Sequence, residues 1–302
     1  MPRTFALALG GVLLAASMYT AAADAVQAHA PEPRCPDDAG WSDPTPPLKV
    51  FGNTWYVGTC GISALLITGA QGHVLIDGAT PEAGPMIVDN IRALGFDPRD
   101  VRVLLNTHEH VDHAGGLAAI QQATGAPLRA RAPGLIALRK GDMDMRDPQV
   151  AFRMPGFPPI PVIETLADGA EVRVGDLRIQ THATPGHSLG GTSFTWASCE
   201  GDTCHAMVFA DSLSAVAPDS YRFSNPAHSP AFVPLLRKTF ETVAALPCDV
   251  LVSPHPVASR LWYRLGDAPT DDLVDPTACK RYADAGRQRL EARLATERKI
   301  TP

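Results

Sequence analysis

The segment Thr107-His108-Glu109-His110-Val111-Asp112-His113-Ala114-Gly115-Gly116 packs three histidines and an aspartate into positions 108–113. On extended backbone, residues two apart point to the same side, so His108 and His110 share a direction while Glu109 and Val111 face away. Asp112 and His113 fall at the turn into the next helix and can address a second point nearby. Imidazole and carboxylate both suit zinc, and four such groups in one loop supply parts of two sites. The chemistry implied is metal-assisted hydrolysis, since zinc lowers the pKa of bound water towards neutrality.

Two further histidines stand in tight-turn settings. Thr184-Pro185-Gly186-His187-Ser188-Leu189-Gly190-Gly191 puts His187 where glycines let backbone approach closely, and Ser253-Pro254-His255-Pro256 holds His255 between prolines. Alone, each reads as structural; beside the first motif, each reads as a donor completing a three-ligand site. His29, His73, His182, His205 and His228 are background: a leader residue, two strand residues, a turn residue and one in a Pro-rich loop. No Ser-x-x-Lys occurs, so a serine nucleophile activated in that way is absent.

The elements that must position these residues follow from hydrophobic pattern and turn chemistry. Strands are expected at 48–51, 54–57, 62–68, 73–76 and 101–105, the last a buried apolar run feeding the histidine loop at 106–113. Helices are expected at 85–94 and 116–123. Residues 142–161 read as a loop. A second set of strands is expected at 170–174, 177–181, 192–198 and 207–210, then a helix at 232–245, a strand at 250–253 and a C-terminal helix at 278–297. Two halves, each of strands then helix, point to one layered α/β domain with internal pseudo-symmetry.

The 302 residues, 45% hydrophobic and 19% charged with a net charge of −6, fit a globular chain with a full core and exclude a disordered, collagenous or polytopic membrane protein. Mild acidity without a Lys/Arg run argues against nucleic acid or an anionic membrane surface as partner. Residues 1–25 read as a secretory signal: Arg3, an apolar stretch from Phe5 to Ser17, and Ala23-Asp24-Ala25 as cleavage site. The mature domain is then 26–302, exported to the periplasm without stable membrane association and expected to be a monomer. Six cysteines in an oxidising compartment suggest disulfides. A hairpin about Glu200-Gly201-Asp202-Thr203 brings Cys199 to Cys204, and locality suggests Cys35–Cys60 and Cys248–Cys279.

Together, His108-x-His110-x-Asp112-His113, Thr184-Pro185-Gly186-His187, Ala210-Asp211-Ser212-Leu213-Ser214 and Ser253-Pro254-His255-Pro256 resemble the metallo-β-lactamase superfamily, and within it subclass B3. The resemblance runs from about Leu48 to the C-terminal helix. It implies an αββα sandwich, two mixed β-sheets flanked by helices, with metals at one edge between the sheets. It implies two zinc ions, one held by His108, His110 and His187, the other by Asp112, His113 and His255, with Asp112 also orienting the attacking water. Ser212 and Ser214 look like contacts for a β-lactam carboxylate, and Asp77 a hydrogen-bond acceptor that orients a ligand histidine. Asp211 stands where many superfamily hydrolases carry a bridging aspartate; the Asp-Ser-Leu order matches subclass B3, in which it is not a ligand, so Ser212 is expected to face the site. The expected activity is hydrolysis of penicillins, cephalosporins and carbapenems, conferring resistance. The competing readings are a lactonase or thioesterase of the same superfamily, and a non-catalytic exported zinc-binding protein. Loops 52–58, 142–161 and 215–230 are expected to set substrate choice.

Overall fold

In the strands, alternate side chains enter different cores, which is what a sheet covered on both faces requires. The computed structural model describes residues 1–2, 34–228, 231–266 and 269–300. The expected export signal at 1–25 lies outside them apart from Met1 and Pro2, as does His29. Residues 33–302 cluster as one unit, and no helix among the described residues is long and apolar enough to cross a membrane.

The first sheet holds β1 (Leu48–Phe51), β2 (Thr54–Tyr56), β3 (Leu65–Ile67), β4 (His73–Ile76), β5 (Val101–Leu105), β6 (Leu128–Arg131) and β7 (Ile163–Leu166), side by side in chain order. β1 to β4 pair antiparallel and β4 to β7 pair parallel. Parallel pairing needs crossovers, supplied by α1 (Ala83–Ala93), the single turn α2 (Val111–Ala114), α3 (Leu117–Thr124) and α4 (Leu135–Lys140). The second sheet holds β8 (Glu171–Val174), β9 (Leu177–Ala183), β10 (Thr192–Glu200), β11 (Thr203–Phe209) and β12 (Val250–Val252), with only β11 and β12 parallel. α5 (Phe232–Ala244), α6 (Leu261–Arg264) and α7 (Ala278–Ile300) complete the chain. Each half of the sequence thus makes its own sheet, as the two-part pattern predicts.

Leu65, Ile67, Val74, Ile76, Val103 and Leu105 meet Phe194, Trp196, Met207, Phe209, Val250 and Val252 between the sheets. Their neighbours Leu66, Leu75 and Leu104 turn outward onto Ile87, Ile91, Leu117 and Ile120 of the first helical layer. Val208 and Leu251 likewise face Leu236, Phe240, Tyr282 and Leu290 of the second. The result is four layers, helix–sheet–sheet–helix.

Some expectations shift. The strand expected at 62–68 shortens to Leu65–Ile67, because the backbone N–H of Ser63 donates to Pro254 O instead of to a neighbouring strand. β6, β7 and α4 escape the sequence pattern; β6 carries Arg131, a buried charge whose Nη1 donates to Gly191 O at 2.8 Å and which pairs with Asp168. His205 lies in β11 rather than in a turn, since β10 and β11 run on to a tight turn at Gly201-Asp202 with Gly201 at φ +56°. The three disulfides join Cys35 to Cys60, Cys199 to Cys204 and Cys248 to Cys279, as locality suggests.

Gly116, directly after the histidine loop, sits where backbones cross. A Cβ there would lie 2.2 Å from Gly78 O and 2.7 Å from Gly84 Cα. Gly116→Ala is expected to lower unfolding free energy by roughly 1–3 kcal/mol in urea titration. Cys248 and Cys279, separated by 31 positions, tie the strand β12 end to α7. Replacing both by serine is expected to cost about 3–4 kcal/mol, read in the same assay.

Candidate metal centre

The loops leaving β4, β5, β9, β11 and β12 converge on one cluster. Asp77, just after β4, takes φ +66°, a conformation that aspartate tolerates better than most residues. Its Oδ1 accepts from Thr107 N at 2.6 Å and its Oδ2 from Thr107 Oγ1 at 2.8 Å, clamping the start of the histidine loop. Thr107 O in turn accepts from Thr192 N of the second sheet at 2.7 Å. His108 and His110 emerge on extended backbone on one side, their ring centroids 4.7 Å apart. The loop expected at 106–113 ends early: Asp112 and His113 already ride the turn α2, which His110 caps.

The six residues proposed from sequence come together. Donor atoms of His108, His110 and His187 lie within 4.8 Å of one another, and so do those of His108, Asp112 and His113. His255 joins the second group: its Nε2 is 3.3 Å from His113 Nε2 and 3.4 Å from Asp112 Oδ2, while Asp112 Oδ2 is 3.2 Å from His113 Nε2. Two imidazole nitrogens and a carboxylate oxygen aimed at one point form a cradle for a cation. Behind the rings stand acceptors. His108 Nδ1 donates to Asp211 Oδ1 at 2.8 Å, His110 Nε2 to Asp147 Oδ2 at 3.0 Å, and His187 Nδ1 to both O and Oγ of Ser214 at 3.0 Å. Asp77 Oδ2 lies 3.7 Å from His113 Nδ1. His108 Nε2 is buried and has no hydrogen-bond partner among the described residues, an orphaned lone pair that a metal would satisfy. The donor set therefore fits zinc.

Electrostatics agree. Burial, reinforced by the neighbouring His110, presses His187 down to about 3, and burial beside His113 presses His255 to about 4, so both rings are neutral and offer lone pairs at neutral pH. Burial likewise lowers His108. His110 goes the other way: burial opposes its charge, but the Asp147 carboxylate prevails and lifts it to about 9. Burial would raise Asp112, yet the charges of His113 and His255 hold it below the usual carboxylate range. Burial raises Asp77 to about 7 and raises Asp211 well above the usual carboxylate range, so a nearby cation would favour their anionic forms.

The cluster floors a cavity of about 460 Å³ lined by Trp41, Val111, Met143, Phe152, Met154 and Val216, together with His110, Asp112, Gln149, His187, Ser214 and His255. Several expectations change here. Glu109 does point away, accepting from Ser188 Oγ at 2.9 Å and Gly190 N at 3.0 Å, but Val111 lines the cavity. Ser214 is in the wall, whereas Ser212 is buried and outside it, next to Leu213, which is packed in the α5–α7 core. It is Asp211, not Ser212, that reaches the cluster, through His108. Loop 52–58 contributes nothing to the wall; Trp41, from the segment before β1, does. Sequence reasoning missed Trp41, Asp147 and Gln149, whose Nε2 lies 3.3 Å from His187 Nε2. Only the aspartates at 142, 144 and 147 hinted at chemistry in that loop. The background histidines have other partners: His73 with Gly69 N, His182 with Thr195, and His228 stacked on Tyr221.

Adjacent groups of histidine and aspartate donors, opening onto a cavity, define a metallohydrolase centre. Comparison with known proteins names the family. Residues 57–201 match the metallo-beta-lactamase superfamily. The solved Rm3 metallo-beta-lactamase is 45% identical, with a TM-score of 0.82 over 85% of this chain and 97% of that one. MEM-A1, a subclass B3 metallo-beta-lactamase from a soil metagenome library, is 42% identical, with a TM-score of 0.82 over 86% and 99%. The N-acyl homoserine lactonase AttM of Rhizobium johnstonii is 32% identical over 156 residues, 43% of this chain and 57% of that protein. The chain spans about half the length of the curated relatives it matches. The chain belongs to the metallo-β-lactamase superfamily, and its sandwich carries the donors of a zinc hydrolase.

Because metal ligation requires a neutral ring, zinc must displace the proton that His110 holds below about pH 9. Apparent zinc affinity is therefore expected to rise with pH up to that value. Calorimetric titration of the metal-free chain at neutral pH, in buffers of different ionisation enthalpy, is expected to show release of about one proton from this site. A binding enthalpy independent of buffer contradicts it.

Proposed function

We propose that the protein is an exported, subclass B3-type β-lactamase that uses two zinc ions. The observation that carries this reading is the pairing of two three-donor groups on the floor of a largely apolar cavity, in a chain 42–45% identical to solved metallo-beta-lactamases, one of them of subclass B3, over nearly all of their length. Sites that leave coordination positions open favour catalysis over structural binding, which closes zinc with four protein ligands. The disulfides support export to an oxidising compartment.

In this reading His108, His110 and His187 hold one ion and Asp112, His113 and His255 the other. Zinc held by these residues would supply the Lewis acidity for generating a nucleophilic water near neutral pH and for cleaving the lactam amide. The chain's own part is orientation. Asp112 stays ionised, edges the cavity and holds the attacking water by a hydrogen bond. Asp211, Asp147 and Ser214 fix which nitrogen each histidine presents. When His187 Nδ1–H donates to Ser214, the hydroxyl hydrogen of Ser214 is left to meet the substrate carboxylate. Trp41, Phe152, Met154 and Val216 shield the bicyclic ring from water. Ser214, which lines the wall, takes the direct carboxylate role in this reading, while Ser212 is buried outside the wall.

Purified mature protein is expected to hydrolyse a carbapenem and a cephalosporin, to lose that activity on chelation, and to regain it with about two equivalents of zinc. His108→Ala and Asp112→Ala are each expected to lower kcat on the order of 10³-fold with the fold intact by circular dichroism. Turnover of acyl-homoserine lactones or thioesters without any β-lactam cleavage favours the lactonase relative's chemistry instead.

A further inference from the structure

Two of the three acceptors hydrogen-bonded behind the histidines, Asp211 and Ser214, sit just after β11, and Asp77 after β4 lies 3.7 Å from His113 Nδ1. The third acceptor, Asp147, comes from the long loop between α4 and β7. Its Oδ2 takes His110 Nε2–H at 3.0 Å, with the two side chains 2% and 5% exposed, and its Oδ1 accepts from Gln149 N at 2.7 Å. Backbone bonds pin it further: Asp147 N donates to Asp144 O at 2.9 Å, and Asp147 O accepts from Val150 N at 3.2 Å. The same loop places Met143, Gln149, Phe152 and Met154 in the cavity wall.

Resting on the metal-centre reading above, we propose that Asp147 is a positioning residue that couples this loop to the metal. It holds His110 so that Nδ1 faces the ion, and the ion in turn holds the loop over the cavity. Occupancy of the His108–His110–His187 group and the ordering of the wall are then one equilibrium, and by linkage each favours the other. A cavity wall built on a loop gains its rigidity from the centre it covers.

The test uses the full mature chain, with zinc itself as probe. Zinc affinity is measured by competition with a chromophoric chelator, and loop order by tryptic cleavage after Arg153, an exposed arginine within the loop. Zinc is expected to slow cleavage at Arg153 in the native chain. Asp147→Ala is expected to weaken zinc binding about 10–100-fold and to abolish that protection. Asp147→Asn, which keeps an acceptor without the charge, is expected to recover protection. Native-like zinc affinity in Asp147→Ala, or undiminished protection, overturns the coupling. Where Asp147→Ala does not fold, the native chain decides, because zinc binding that leaves Arg153 cleavage unchanged also overturns it. A native chain that binds no zinc refutes the metal-centre reading itself.

Discussion

An imidazole has two nitrogens, and burying it obliges the fold to satisfy both. Here several imidazoles are buried within a few ångströms of one another, which leaves no room for all of them to carry protons. The inner nitrogens therefore need a cation in place of protons, and the outer ones need fixed acceptors. Most of the architecture at this end of the sandwich answers that need. The loop ends after β4 and β11 carry Asp77, Asp211 and Ser214 to the backs of the rings. Gly78, Gly84 and Gly116 let backbones close behind the histidine loop, and Thr107 links both sheets beneath it. Remove the requirement, and there is little reason for so many buried carboxylates in one place.

The same requirement explains the division between the floor and the wall of the cavity. Floor residues hang from strand ends whose alternate side chains are locked in three cores, so their positions are inherited from the sheets. The wall is assembled from the segment around Trp41, the loop bearing Gln149 and Phe152, and residues after Ser214. Such segments have fewer constraints, and they are where a common hydrolytic floor acquires its choice of substrate.

What could be read from sequence follows the same line. His108 to His113 were legible because the donors are contiguous, and strands 48–51, 73–76 and 101–105 because each is a pure β pattern. His187 and His255 were legible only by association with that first motif and with the resemblance. The acceptors were mostly hidden. Asp147 meets His110 across 37 positions, and Asp211 meets His108 across 103, separations over which no local pattern carries information. Arg131 concealed β6 because its charge is satisfied by Gly191 and Asp168, partners far along the chain. Ser212 illustrates the limit of a resemblance: the Asp-Ser-Leu order put it at the site, yet it is buried beside Leu213 of the helical core, and it is Asp211 whose Oδ1 accepts from His108 Nδ1.

Each half of the chain builds one sheet, and neither half owns a complete donor set. His108, His110, Asp112 and His113 come with the first sheet, while His187 and His255 come with the second. In the proposed assignment, both ions take ligands from both sides of the seam. Metals held so would act as rivets across the sandwich as well as reagents within it. On that assignment their loss would loosen the seam between the two sheets, and their binding would require the two halves to have docked in register.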